Sequence, residues 1–186
     1  MGACLTWFAV KGREPDIARA ELGLRSTGRW LDYPKVPRIA GAPLKSGWYL
    51  IQRYRYECRN PAVYARLSAG CEVVSLFVEE HVMVSWACAW KNGKRLWWVK
   101  YDSEKGEQHL EFDGEPPPEF FSLRARVQAK PDAGIGDYFD IPCGVARALA
   151  GYCYDGFAAE RRISSFEVLK RIPWWQRLGL FTSRNS

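Results

Sequence analysis

Apolar and polar positions alternate along residues 72–112 in short runs broken by polar turns, the pattern of a β-meander. Strands are predicted at 72–78, 82–90, 95–101 and 108–112. The anchor is Lys91-Asn92-Gly93-Lys94, because Asn-Gly between two apolar runs suits a type I′ turn, in which both central residues need positive φ. Continued without interruption, that turn sets Trp90 opposite Arg95, Cys88 opposite Trp97, Trp86 opposite Val99 and Val84 opposite Tyr101. One sheet face would then be a wall of Trp, Cys and Val, with the indoles of Trp86, Trp90 and Trp97 on the same side. The other face would carry Ser85, Ala87 and Ala89, small enough to receive a helix at close range.

The rest of the chain is read in the same way. Leu5–Val10 is a strand apolar on both faces. Pro15 opens a short helix that Gly23 stops. Residues 27–33 suggest a short strand. Residues 34–46, with three prolines, read as loop. Residues 48–54 form a strand rich in aromatic and β-branched side chains. Asn60-Pro61 is an N-cap and N1 pair opening a helix that Gly70 ends. Residues 123–129 alternate like a strand. Residues 142–150 are helical, with Val145, Ala148 and Leu149 as the apolar stripe. Ser164-x-x-Glu167 is a capping box that predicts a last short helix. The expected architecture is α+β: a mostly antiparallel sheet meander with a few short helices packed on one face. Residues 1–171 are read as one domain and 172–186 as a basic aromatic tail.

Composition narrows the class. With 186 residues, 47% of them hydrophobic, the chain is long enough to bury a core without disulfides. The six cysteines have no CxxC spacing, and Met1–Thr6 lacks a charged segment leading into a long apolar run, so a cytoplasmic protein with reduced thiols is expected. Met1-Gly2-Ala3-Cys4 loosely fits a lipidation pattern, but Trp7 and Phe8 read as core. The net charge of +6 is unevenly spread. Residues 102–119 hold seven acids against Lys105, while residues 161–186 hold six basic residues against Glu167. Overall basicity is therefore a weak argument for nucleic acid.

Candidate chemistry is sparse. No P-loop, GxGxxG, HExxH or nucleophile elbow occurs, and no pattern calls for a cofactor or metal. Glu79-Glu80-His81 lies at a predicted turn, and His109 stands between Glu107 and Glu111. Imidazoles beside carboxylates could form an acid/base pair. Polar residues are equally what a hairpin turn and a solvated strand face require. Cys143, placed near a helix start, would be reactive only if exposed. Arg53, Arg55, Arg59 and Arg66 interleave with Tyr54, Tyr56 and Tyr64, a mix suited to phosphate contacts and stacking. Trp174 and Trp175, after Lys170-Arg171, suit a membrane surface or a partner's groove.

The strings Ser68–Val74 and Val78–Met83, with Trp90, Gly93, His109-Leu110, Gly114, Phe139-Asp140-Ile141-Pro142 and Gly151-Tyr152, resemble a group of small bacterial proteins of the immunity or antitoxin type. The resemblance supplies no catalytic residue. It implies a non-enzymatic module that binds a protein partner, a cognate toxin among the options. The contacts expected on that reading are Glu79, Glu80, His81, Trp97 and Tyr101, with the acidic Glu104, Glu107, Glu111 and Asp113. The alternatives are a small hydrolase using His81 and His109 with carboxylates, or an anionic-surface or nucleic-acid binder through Arg53, Arg55, Arg59, Trp174 and Trp175.

Overall fold

The computed structural model describes residues 2–32, 36–155 and 163–173. They form β1 (Cys4–Lys11), α1 (Pro15–Glu21), β2 (Leu24–Asp32), β3 (Ile39–Pro43), β4 (Tyr49–Tyr54), α2 (Pro61–Leu67) and β5 (Glu72–Glu79). β6 (Val84–Lys91), β7 (Lys94–Asp102), β8 (Leu110–Gly114), α3 (Pro118–Gln128), α4 (Ile135–Ala150) and β9 (Ser165–Arg171) follow. The nine strands make one sheet in the order β2-β9-β3-β4-β1-β5-β6-β7-β8, with antiparallel pairing throughout. The fold is α+β.

The helices divide between the two faces instead of sharing one. On the inner face, α3 and α4 bring Phe120, Tyr138, Ile141 and Val145 against Trp7, Leu76 and Val99. On the outer face, α1 and α2 bring Ala18, Tyr64 and Leu67 against Phe8, Ile51 and Val73. β1 is central and buried on both sides, as its uninterrupted apolar run requires. The stripe expected on the last long helix is only partly buried: Val145 is in the core, whereas Ala148 is exposed.

Four local readings change. Residues 123–128 are helix, because Pro118 opens α3 and Phe120, Leu123 and Val127 fall on one helical face; Leu123 packs where Gly144 leaves room on α4. Residues 165–171 are strand, because Glu167 pairs across the sheet and meets Arg19 rather than capping a helix. Residues 39–43 are a short strand between β4 and β9, its small Ala40 and Ala42 buried. Proline costs little there, since Pro43 sits at the strand's end. α4 also begins at Ile135, so Pro142 and Cys143 lie within it and not at its start.

The Asn92-Gly93 turn is present, with φ of 51° and 77°. The register beyond it departs from the uninterrupted ladder. Trp90 pairs with Arg95, but Ala89 pairs with Trp97, leaving Leu96 as the extra residue of a β-bulge. One inserted residue inverts every later side chain on β7. Trp97, Val99 and Tyr101 therefore join Ser85, Ala87 and Ala89 on the inner face. Trp98 and Lys100 join Trp86, Cys88 and Trp90 on the outer face. The expected alignment of Trp86, Trp90 and Trp97 on one side is incorrect. The small inner residues of β6 do receive a helix: the Ser85 hydroxyl donates to the Phe139 carbonyl of α4 at 2.7 Å.

Candidate functional site

The bulge leaves an aromatic cleft of about 260 Å³ on the outer face, where α2 stops covering the sheet. Alternation on β6 presents Trp86, Cys88 and Trp90, and β7 adds Trp98. Tyr64 of α2 forms the end wall. It stacks on Trp90 with ring centres 5.6 Å apart and meets Trp86 nearly edge-on at 6.1 Å. Its hydroxyl donates to the Cys58 carbonyl at 3.0 Å, which fixes the ring. Trp86 and Trp98 are half-buried and both line the cleft.

The rim carries charges of both signs. Arg59 pairs with Glu57 at 2.5 Å, Arg95 with Asp113 at 2.8 Å and Lys100 with Asp102 at 2.7 Å. A second cleft of about 370 Å³ shares Glu57 and Arg59 and continues past Phe77 to Arg55, Glu79, Val82 and Val84. Together they form a groove along the outer face of β5–β7. Burial pushes the Cys88 thiol and the Tyr64 hydroxyl well up, and burial with the neighbouring Glu79 pushes Cys4 up to about 11. Cys143 is likewise pushed up by burial. All six cysteines are free thiols.

The residues expected to form a site are dispersed. Trp97 and Tyr101 lie in the inner core, Tyr101 stacked on Tyr138, and so cannot contact a partner. Glu80 is a structural tie: its carboxylate accepts from the Ala3 amide at 2.6 Å and the Tyr154 hydroxyl at 2.9 Å. His81 is exposed at the β5–β6 turn, its amide donating to Glu79 at 3.3 Å. Glu79 does line the groove. Glu104 and Glu107 are exposed beyond the end of β7. Glu111 accepts from Lys105 at 2.5 Å and meets His109 Nε2 at 2.6 Å, and these neighbours pull its carboxyl down to about 2. Neither imidazole lines the two clefts of the groove.

The arginine patch divides as well. β4 ends at Tyr54, and Arg55 takes a left-handed conformation (φ 50°) that turns the chain. Arg55 and Arg59 consequently reach the groove, while Arg53 is buried on the far side of Tyr56, towards α1. Trp174 and Trp175 lie outside the described residues. Sequence reading missed Trp86, Trp90, Trp98, Tyr64, Arg95 and Lys100 as a group. The adjacent Trp97-Trp98 pair was the available signal, because neighbours on a strand face opposite ways and one of the two had to point outward.

Among the described residues, no three His, Cys, Asp or Glu side chains are grouped to hold a metal ion, and no helix is long and apolar enough to cross a membrane. No family model, curated protein or solved structure matches this chain.

Proposed function

We propose that this protein is a non-enzymatic protein-binding module that seats an apolar or aromatic anchor of its partner between Trp86, Trp90 and Trp98. The observation that carries this reading is an open, aromatic-floored cleft on a rigid sheet, ringed by paired charges. Interfaces concentrate their binding energy in such arrangements, with tryptophan, tyrosine and arginine at the centre and a polar rim. The alternating signs favour a protein over nucleic acid. A phosphate backbone calls for a continuous run of cations, whereas Glu57, Asp102 and Asp113 interrupt Arg59, Lys100 and Arg95 here. The hydrolase reading draws less support, since His109 is already engaged with Glu111 and neither histidine borders the groove. The resemblance to immunity-type proteins makes a toxin the first partner class to try.

The test is affinity capture from native cells with the wild-type chain and with Trp98→Ala, followed by direct titration of the protein retained. Trp86→Ala and Trp98→Ala are each expected to weaken binding by at least about tenfold, the size of a hot-spot truncation. Phe121→Ala, exposed on the opposite face, is expected to leave it unchanged. Equal binding by wild type and both tryptophan variants would reject the cleft as the interface.

A further inference from the structure

A third, more polar cleft of about 300 Å³ lies between α1 and α2 over the outer face. Arg53 of β4, Arg66 of α2 and Arg171 of β9 line it, with Glu21 of α1 as the one acid among the described residues and Tyr56 as an aromatic wall. Arg53 is the informative residue. It is only 6% exposed, yet none of the ion pairs among the described residues includes it. Its guanidinium instead lies over the Tyr56 ring, 3.4 Å from the centroid. The ring orients the planar fork without supplying a countercharge. Burial and the nearby Arg171 charge both lower the Arg53 pKa, so this cation is desolvated and repelled. Buried charges in folded proteins are normally paired, because an uncompensated one is strongly unfavourable.

Among the described residues, the lining offers three guanidiniums against one carboxylate, and that carboxylate already faces Arg66 at 3.7 Å and Arg13 at 3.9 Å. We infer that the cleft between α1 and α2 is a binding site for a small phosphate-class dianion, held by Arg53 with Arg171 and Arg66. A tetrahedral dianion matches the excess of two positive charges and gives each fork an oxygen to meet, which a halide or a neutral ligand does not. This site is separate from the tryptophan cleft and goes beyond the partner-binding reading.

Inorganic phosphate is the probe, titrated calorimetrically into the full chain at constant ionic strength, with chloride as the control. Saturable binding of phosphate and none of chloride is expected. Arg53→Met and Arg171→Gln should each weaken phosphate binding by about tenfold or more, as loss of a charge-assisted contact does. Trp98→Ala should bind phosphate like the wild type, so failure here is distinct from failure of the partner interface. Arg171 is exposed, so its variant tests the site even if Arg53→Met folds poorly. Absence of saturable binding to the wild type, or unchanged binding by Arg171→Gln, overturns the assignment.

Discussion

Arg19 Nη1 donates to the Glu167 carboxylate at 2.6 Å, joining the first helix to the last strand of the described chain. Both side chains are buried, and the Tyr49 hydroxyl donates to the same carboxylate oxygen at 2.7 Å. Gly41 is required beside them, because a Cβ there would overlap the Tyr49 hydroxyl. Removing Glu167 takes away the buried partner of Arg19, which is then left with only the exposed Asp16 carboxylate. Glu167→Ala is therefore expected to lower unfolding free energy by about 3–5 kcal/mol, while the double change Arg19→Met with Glu167→Leu costs much less. Urea denaturation of both variants measures the difference; a double variant as unstable as the single one would contradict it.

Trp97 and Trp98 are neighbours with opposite roles. Trp97 is 4% exposed beneath the inner helices, whereas Trp98 borders the open groove. Trp97→Ala should cost about 3–5 kcal/mol, the usual penalty for emptying a core indole site. Trp98→Ala should cost less than half as much and act on partner binding. Denaturation midpoints for the pair check the inversion directly, and a larger loss at Trp98 would mean that the two indoles face the opposite way.

The bulge rests on Gly114. This residue pairs with Trp97 at φ 81°, and an added Cβ would overlap the Leu96 carbonyl oxygen. That oxygen also accepts from the Glu115 amide at 3.1 Å. Backbone cannot yield as a flexible side chain can. Gly114→Ala should cost about 2–3 kcal/mol or more, from the left-handed backbone and the overlap together. Hydrogen exchange should show the loss localised to the β7–β8 pairs, and unchanged protection there would refute this role for Gly114.

Glu111 predicts a salt-sensitive acid response. Lys105 and then His109 pull its carboxyl down to about 2, below its ordinary value near 4.5. A depressed carboxyl contributes stability that is fully present above the unfolded pKa and is lost as pH falls through the folded one. The effect thus disappears between about pH 4.5 and pH 2. The carboxylate is about a third exposed, so screening keeps the contribution small. Carboxyl chemical shifts should show Glu111 titrating below the other glutamates at low salt and moving towards them at high salt. A titration near 4.5 at low salt would rule the interaction out.

How much was legible depended on the range of the deciding interactions. The Asn92-Gly93 reversal, the Asn60-Pro61 helix start and the doubly buried β1 were all readable, since turn dihedrals, an N-cap and an apolar run are properties of a few adjacent residues. The last strand was not. Ser164 and Glu167 form a valid helix-start pattern, and only Arg19 and Tyr49, far away in sequence, give Glu167 a better use. Residues 123–128 likewise became helix because α4 provides a facing surface at Gly144.

The groove itself shows the division most sharply. By itself the sequence determined a twisted hairpin with two adjacent indoles on its second strand, so that one had to be buried and the other displayed. Which one was displayed, and hence whether a binding cleft exists there, was decided by tertiary structure alone. The extra residue at Leu96 is absorbed because Gly114 on β8 lets that strand approach it and α4 takes Trp97, Val99 and Tyr101 into its core. Side-chain direction on a strand has a period of two, so a single-residue slip selected by distant packing reverses the entire face.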